Sequence, residues 1–215
     1  VKLQPTYSET HNNLGNALSG LNRFREADIY YKKAIRLKPD YPEAHNNLAN
    51  SLSKKWEDLE GAIFHYKKAI QLKPEYSEAH FNFGVTLNKW NRSEQAIGYL
   101  EEAIRLNPNF TKARLSLGNI LRLKYEFKTA IHHFNTIIKV NPNHAIAHNS
   151  LGSALAEQGN FEQAIVHFQT SITINPHYLE AHQNLGTIFL ILGQPEQSAV
   201  YFKIAKEIAM NETLK

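Results

Sequence analysis

The chain has 215 residues, 24 Lys and Arg against 20 Asp and Glu for a net charge of +4, 42% apolar residues and no cysteine. This composition suits a chain that buries a core, and its mild charge permits nucleic-acid binding without pointing to it. Disulfides, thiolate metal sites and a cysteine nucleophile are excluded. The longest apolar run, Thr187–Gly193, falls far short of the roughly 18 unbroken apolar residues of a membrane span, so a soluble, cytoplasmic chain is expected.

VKLQP at 1–5 reads like IRLKP at 35–39, so residues 1–7 are expected to be the tail of a truncated upstream repeat. From Ser8 onward the chain reads as pairs of helix-period segments split by short polar breaks such as LNRF (21–24) and QGNF (158–161). Prolines at 5, 39, 74, 108, 142 and 176 recur every 34 residues with a single interval of 35. The extra residue falls within Ser53–Glu60, in the break between two helices. The expected units are 8–41, 42–76, 77–110, 111–144, 145–178 and 179–215, in one continuous solenoid domain.

The columns repeat within each unit. Gly15, Ala49, Gly84, Gly118, Gly152 and Gly186 form a small-residue column, and Ala27, Ala62, Ala96, Ala130, Ala164 and Ser198 form another. Tyr31, Tyr66, Leu100, Phe134, Phe168 and Phe202 supply bulk beside them. Small residues let two helices approach at the short end of the usual ~8–10 Å separation. Proline then stops the second helix, except in the last unit, where Met210 stands in its place.

These columns resemble the tetratricopeptide repeat over almost the whole chain. The resemblance implies an all-α, right-handed superhelix of antiparallel helix pairs, whose first helices line a concave groove that grips peptides or proteins. Within that family, AHNNLAN (44–50) and AHQNLG (181–186) are similar to the asparagine-ladder superhelix of O-linked N-acetylglucosamine transferases.

HNNLGNAL (11–18) returns as HNNLANSL (45–52), although asparagine costs about 0.6 kcal/mol against alanine inside a helix. On a helical wheel Glu9, Asn12, Asn13, Asn16, Ser19 and Gly20 share an arc of roughly 120°, opposite His11, Leu14, Gly15 and Leu18. In the resembling fold that arc faces the groove. The candidate peptide contacts are therefore Asn12, Asn13, Asn16, Asn46, Asn47, Asn50, Asn82, Asn119, Asn149 and Asn184, with an apolar interruption at Phe81, Val85 and Leu115. A carboxamide offers donors and an acceptor, which suits a peptide main chain. A general asparagine bias, visible also in the turns LNPN and VNPN, is the alternative.

Lys112 and Arg122 also fall on this arc, where earlier units carry Glu9, Glu43 and Glu78 in the Lys112 column, so a groove running from mildly acidic to basic is expected. The family's carboxylate clamp requires lysine where this chain has Asn12, Asn46, Phe81, Leu115, Asn149 and Gln183, so that activity is not expected. His11, His45, His80, His148 and His182 form a column on the packed side, with successive members too far apart to share a zinc ion. His144 and His148 have i, i+4 spacing but no third ligand. No metal, cofactor or catalytic site is expected.

Three readings of function remain: a non-catalytic scaffold for extended segments, the substrate-recognition arm of a larger glycosyltransferase, and an RNA-binding helical repeat. Leu190 and Ile191 add an apolar end where self-association is expected.

Overall fold

The computed structural model describes residues 7–55 and 58–213, which divide into two compact units at Phe110 and Thr111. Among the described residues of the first unit run α1 (Tyr7–Gly20), α2 (Phe24–Leu37), α3 (Pro42–Lys55), α4 (Leu59–Leu72), α5 (Ser77–Lys89) and α6 (Ser93–Leu106). The second holds α7 (Thr111–Leu123), α8 (Phe127–Val140), α9 (Ala145–Glu157), α10 (Phe161–Ile174), α11 (Leu179–Ile191) and α12 (Pro195–Thr213). Pro5 and part of the Ser53–Glu60 break lie outside the described residues, as does the expected tail at 1–7 apart from Tyr7.

Two kinds of turn punctuate the helices. Within a pair, the first helix ends on a residue with positive φ: Asn22 (59°), Asn91 (58°), Tyr125 (63°), Gly159 (83°) or Gly193 (70°). The next N–H reaches back to the helix, as in Arg23 to the Leu18 carbonyl (2.9 Å) and Glu126 to that of Leu121 (2.9 Å). This is the Schellman closure, which satisfies carbonyls that the helix end leaves open. Between pairs, the residue before proline is extended, as at Lys38 (φ −140°, ψ 90°) and Asn107 (φ −133°, ψ 91°). Proline's ring excludes the helical region for its predecessor, which ends the second helix. Met210 imposes no such stop, and α12 runs 19 residues where α10 has 14.

The packing follows the columns. Ala27, Ala62, Ala96, Ala130 and Ala164 are fully buried, as are Tyr66, Leu100 and Phe134. A Cβ on Gly118 would lie 2.6 Å from Phe134 Cε1, and one on Gly15 would lie 2.5 Å from Tyr31 Cε1. Glycine is required there because the ring of the second helix lies directly on the backbone of the first. Ser198, the departure from alanine, is also buried and donates its hydroxyl to the Gly186 carbonyl at 2.8 Å. Leu14 differs from its column: it is 41% exposed, whereas Leu48, Phe83, Leu117, Leu151 and Leu185 are buried. Within the first unit the difference follows from position, since Phe83 packs on the preceding pair, its ring stacked on that of Tyr66 at 5.1 Å.

Tyr125 sets a bulky side chain in the left-handed conformation while 80% exposed. Glycine adopts that conformation without the steric cost. Tyr125→Gly is therefore expected to raise stability by about 1 kcal/mol, read as a higher urea midpoint at unchanged slope.

Candidate functional site

The asparagines of the first helices are tied to one another. Asn47 Nδ2 donates to Asn12 Oδ1 (3.1 Å) and to Asn16 Oδ1 (3.0 Å), and Asn82 Nδ2 donates to Asn46 Oδ1 (3.2 Å). In the second unit Asn184 Nδ2 donates to Asn149 Oδ1 at 2.9 Å. One column supplies the donor and the neighbouring column of the preceding pair supplies the acceptor. The acceptors Asn12, Asn46 and Asn149 are only 4%, 3% and 8% exposed. Their expected place on an open groove wall is thus corrected: they are buried, and their oxygens clasp the next repeat. Burial makes this partner necessary, because a carboxamide without one costs its desolvation.

The outer column keeps its access. Asn13 and Asn16 are exposed, and Asn47, Asn50, Asn82, Asn119 and Asn184 are half-buried. Tyr31 donates its hydroxyl to Asn16 Oδ1 (3.0 Å), and Tyr66 donates to Asn50 Oδ1 (2.6 Å) while meeting Thr86 Oγ1 (3.0 Å). A cavity of about 350 Å³ opens here, lined by Asn16, Asn47, Asn50, Asn82 and Val85 together with Lys54 and Lys89. In the second unit a cavity of about 470 Å³ is lined by Asn149, Ser153, Asn184, Phe161 and Ile191.

Phe81 is half-buried, with its ring 4.9 Å from that of Phe110. Phe110 occupies the position of Tyr41 and Tyr178, whose phenols are raised by burial against hydrogen bonds from Asn12 and Asn149. Where the amide column turns apolar, the facing aromatic has no hydroxyl. Leu115 is likewise half-buried and Lys112 exposed. Arg122 corrects the expectation of an open basic groove: it is paired with Glu157 on α9. Arg114 also turns inward, with Nη1 3.5 Å from His133 Nδ1. Glu43 is paired with Lys73 at 3.5 Å, so charges on both sides of the expected gradient are partly neutralised.

The histidine column is structural. Nε2–H of His45, His80, His148 and His182 donates to the carbonyl of Pro39, Pro74, Pro142 and Pro176 at 2.9–3.1 Å, fastening each inter-pair turn. With Nε2 carrying the proton, Nδ1 of His45 accepts from His65 (2.8 Å) and that of His148 from His167 (3.1 Å). His144 caps α9, its Nδ1 accepting the Ala147 N–H at 3.2 Å. Among the described residues no group of three or more His, Asp or Glu could hold a metal, and no helix is long and apolar enough to cross a membrane.

Sequence reasoning did not single out the Tyr31 and Tyr66 hydroxyls, nor Lys54 and Lys89. Lys54 and Lys89 share one column of successive first helices, a signal visible in the repeat but weak against the many solvated lysines.

Tetratricopeptide repeat profiles match residues 8–41 and 145–178, 30–64, and 77–110, and a TPR repeat profile matches 57–89. The chain belongs to the tetratricopeptide repeat family, and its fold is that family's all-α solenoid of helix pairs. Among solved structures it is similar to YrrB, described as a TPR protein with an unusual peptide-binding site. The identity is 28% over 80% of this chain and 88% of that one, with a TM-score of 0.66. MamA is 25% identical over 77% of this chain and 97% of its own, with a TM-score of 0.68. PilF of Pseudomonas aeruginosa, at 17% identity, covers 97% of this chain and 98% of its own with a TM-score of 0.80, a likeness of fold alone. Among curated proteins the search finds no match.

Two outcomes follow from this geometry. Asn46→Ala is expected to cost about 1–2 kcal/mol in chemical denaturation, because it leaves Asn82 without its acceptor. The histidines set a pH dependence of the same sign. Burial holds His65 and His133 down to about 4, reinforced by His45 and Arg114 respectively, and lowers His45 and His167. The unfolded chain takes up these protons first, so the contribution is full above about pH 6.5 and is lost as pH falls through the window toward 4. Urea midpoints measured across that window should decline, and the His65→Phe variant should decline less steeply.

Proposed function

We propose that the chain is a non-catalytic protein-interaction scaffold that holds an extended peptide or protein segment against its first helices. The observation that carries this reading is the cavity of about 350 Å³ whose wall is built from Asn16, Asn47, Asn50 and Asn82. Side-chain amides at regular spacing suit a main chain, whose own polar groups recur regularly and do not depend on sequence. Val85 in the same wall and Phe81 on α5 offer apolar contact, and in the second unit Asn184, Phe161 and Ile191 play the corresponding parts. Asn13, Lys112, Leu115 and Asn119 remain proposed contacts, while Asn12, Asn46, Asn149 and Arg122 support the wall from behind. The likeness to YrrB adds weight, since that protein is described as having a peptide-binding site.

The same amide wall also fits the substrate-recognition arm of a larger glycosyltransferase, which would hold its protein substrate in the same way. The RNA-binding reading is disfavoured, because Arg105, Arg114 and Arg122 are engaged by Glu102, His133 and Glu157. Leu190, Ile191 and Leu192, at 59%, 60% and 42% exposure, form the proposed self-association surface.

Peptide-array binding of the wild type beside an Asn16→Ala, Asn50→Ala double variant tests the groove. Binding is expected to fall about tenfold or more at unchanged helicity, and unaltered binding would remove the amides from the site. Sedimentation tests the end surface: Leu190→Glu should convert dimer to monomer, whereas a wild type that stays monomeric at high concentration counts against it.

A further inference from the structure

The solvent face of α2 and α4 carries a cluster that the groove does not use. Ile29 and Phe64 hold the same position on these two successive second helices and are 52% and 61% exposed. Cations share their face: Arg25, Lys32, Lys33 and Arg36 around Ile29, and Lys67 and Lys68 beside Phe64. Burial, His45 and then the nearby charge of Lys32 on α2 hold down the imidazole of His65 on α4, so the two helices present one surface. Little negative charge answers these cations. Among the described residues Glu26 is paired with Arg23 and Asp28 is buried, leaving Glu60 as the unpaired acid of α2 and α4. Lys33 lies 5.0 Å over the Tyr30 ring and Lys68 donates to Gln71 Oε1 at 3.2 Å, contacts that leave both charges in place. The lysine pair is confined to these helices. The same two columns read Glu101 and Glu102 on α6, Asn135 and Thr136 on α8, Gln169 and Thr170 on α10, and Lys203 and Ile204 on α12.

We propose that this face docks the chain on an anionic lipid surface, with Ile29 and Phe64 entering the headgroup layer and the surrounding cations meeting lipid phosphates and carboxylates. Exposed apolar side chains ringed by lysines make up an interfacial helix face, whose charges draw it to acidic headgroups while its apolar groups enter among them. Lysine stems extend the apolar contact and keep their ammonium groups in water. A nucleic acid would leave Ile29 without a role, and its phosphates suit the forked guanidinium better than lysine. An acidic protein would have to supply a pocket for the protruding Phe64 ring as well as its acids, whereas fluid lipid needs no such complement. The face belongs to second helices, so the proposal stands apart from binding along the first helices.

Flotation of the full chain with vesicles of phosphatidylcholine, alone or mixed with phosphatidylserine, tests it at low and high salt. The expected result is binding to the mixed vesicles about tenfold or more tighter than to the neutral ones, weakened by salt. A Lys32→Gln, Lys33→Gln, Lys67→Gln, Lys68→Gln variant should lose that preference at unchanged helicity. Because the chain has no cysteine, Phe64→Cys accepts a single polarity-sensitive fluorophore, whose emission should shift to the blue on the mixed vesicles. Equal binding to both vesicles, a preference that survives in the variant, or a fluorophore that stays in water overturns the proposal. So does retention by polyglutamate or duplex RNA without retention by vesicles, which would assign the face to an acidic protein or a nucleic acid.

Discussion

The contact between a bare backbone and an aromatic ring underlies the rest of this structure. On α1 the Tyr31 ring lies where a Gly15 side chain would be, and the same approach places its hydroxyl on Asn16. Packing and polarity are thereby coupled: the ring buries apolar area between the helices of a pair, while its hydroxyl fixes which end of a carboxamide faces the cavity. Tyr66 does the same for Asn50 although its partner column holds Ala49, so the close approach accepts one methyl group there. In α8 and α10, Phe134 and Phe168 fill the space without a hydroxyl, and the neighbouring Asn119 amide and Ser153 hydroxyl lack that constraint.

The amide ladder joins structure and recognition. Its buried rail, Asn12, Asn46 and Asn149, spends its hydrogen-bonding capacity between repeats. A buried polar pair of this kind gains little net stability over an apolar one, but it penalises any slip in register, because slippage would leave both partners unsatisfied. The outer rail can meet a ligand because the inner rail fixes the spacing of the helices that carry it. The apolar interruption follows the same logic: Phe81 pairs with Phe110, and Ser150, one repeat after Leu115, stands where a longer donor would find no acceptor.

The turns depend on a separate interaction. Proline leaves a carbonyl exposed to the following helix, and histidine fills that role from the first turn of the next pair. Committing Nε2 to this bond leaves Nδ1 as an acceptor, which His65 and His167 satisfy. Beside His80 and His182 the corresponding rings are Tyr99 and Tyr201, at 6.0 and 6.1 Å. The column is thus a device for turn geometry, and at His45 burial also lowers the pKa of the imidazole.

By itself the sequence determined the order of the twelve helices among the described residues, the small and aromatic columns and the role of proline, because each depends on local periodicity repeated in phase. It also separated the Asn arc of α1 from the face holding Gly15 and Leu18. Tertiary structure alone decided which amides on that arc were open. Asn12 and Asn13 share the arc, near its two edges, yet one is buried and the other exposed, because the helix of the next repeat covers only one flank. Arg122 and Glu157 likewise lie 35 residues apart on different helices, and their pairing depends on how those helices pack. A helical wheel carries the angle of a side chain about its own axis, but burial and charge pairing are set by the neighbouring axes.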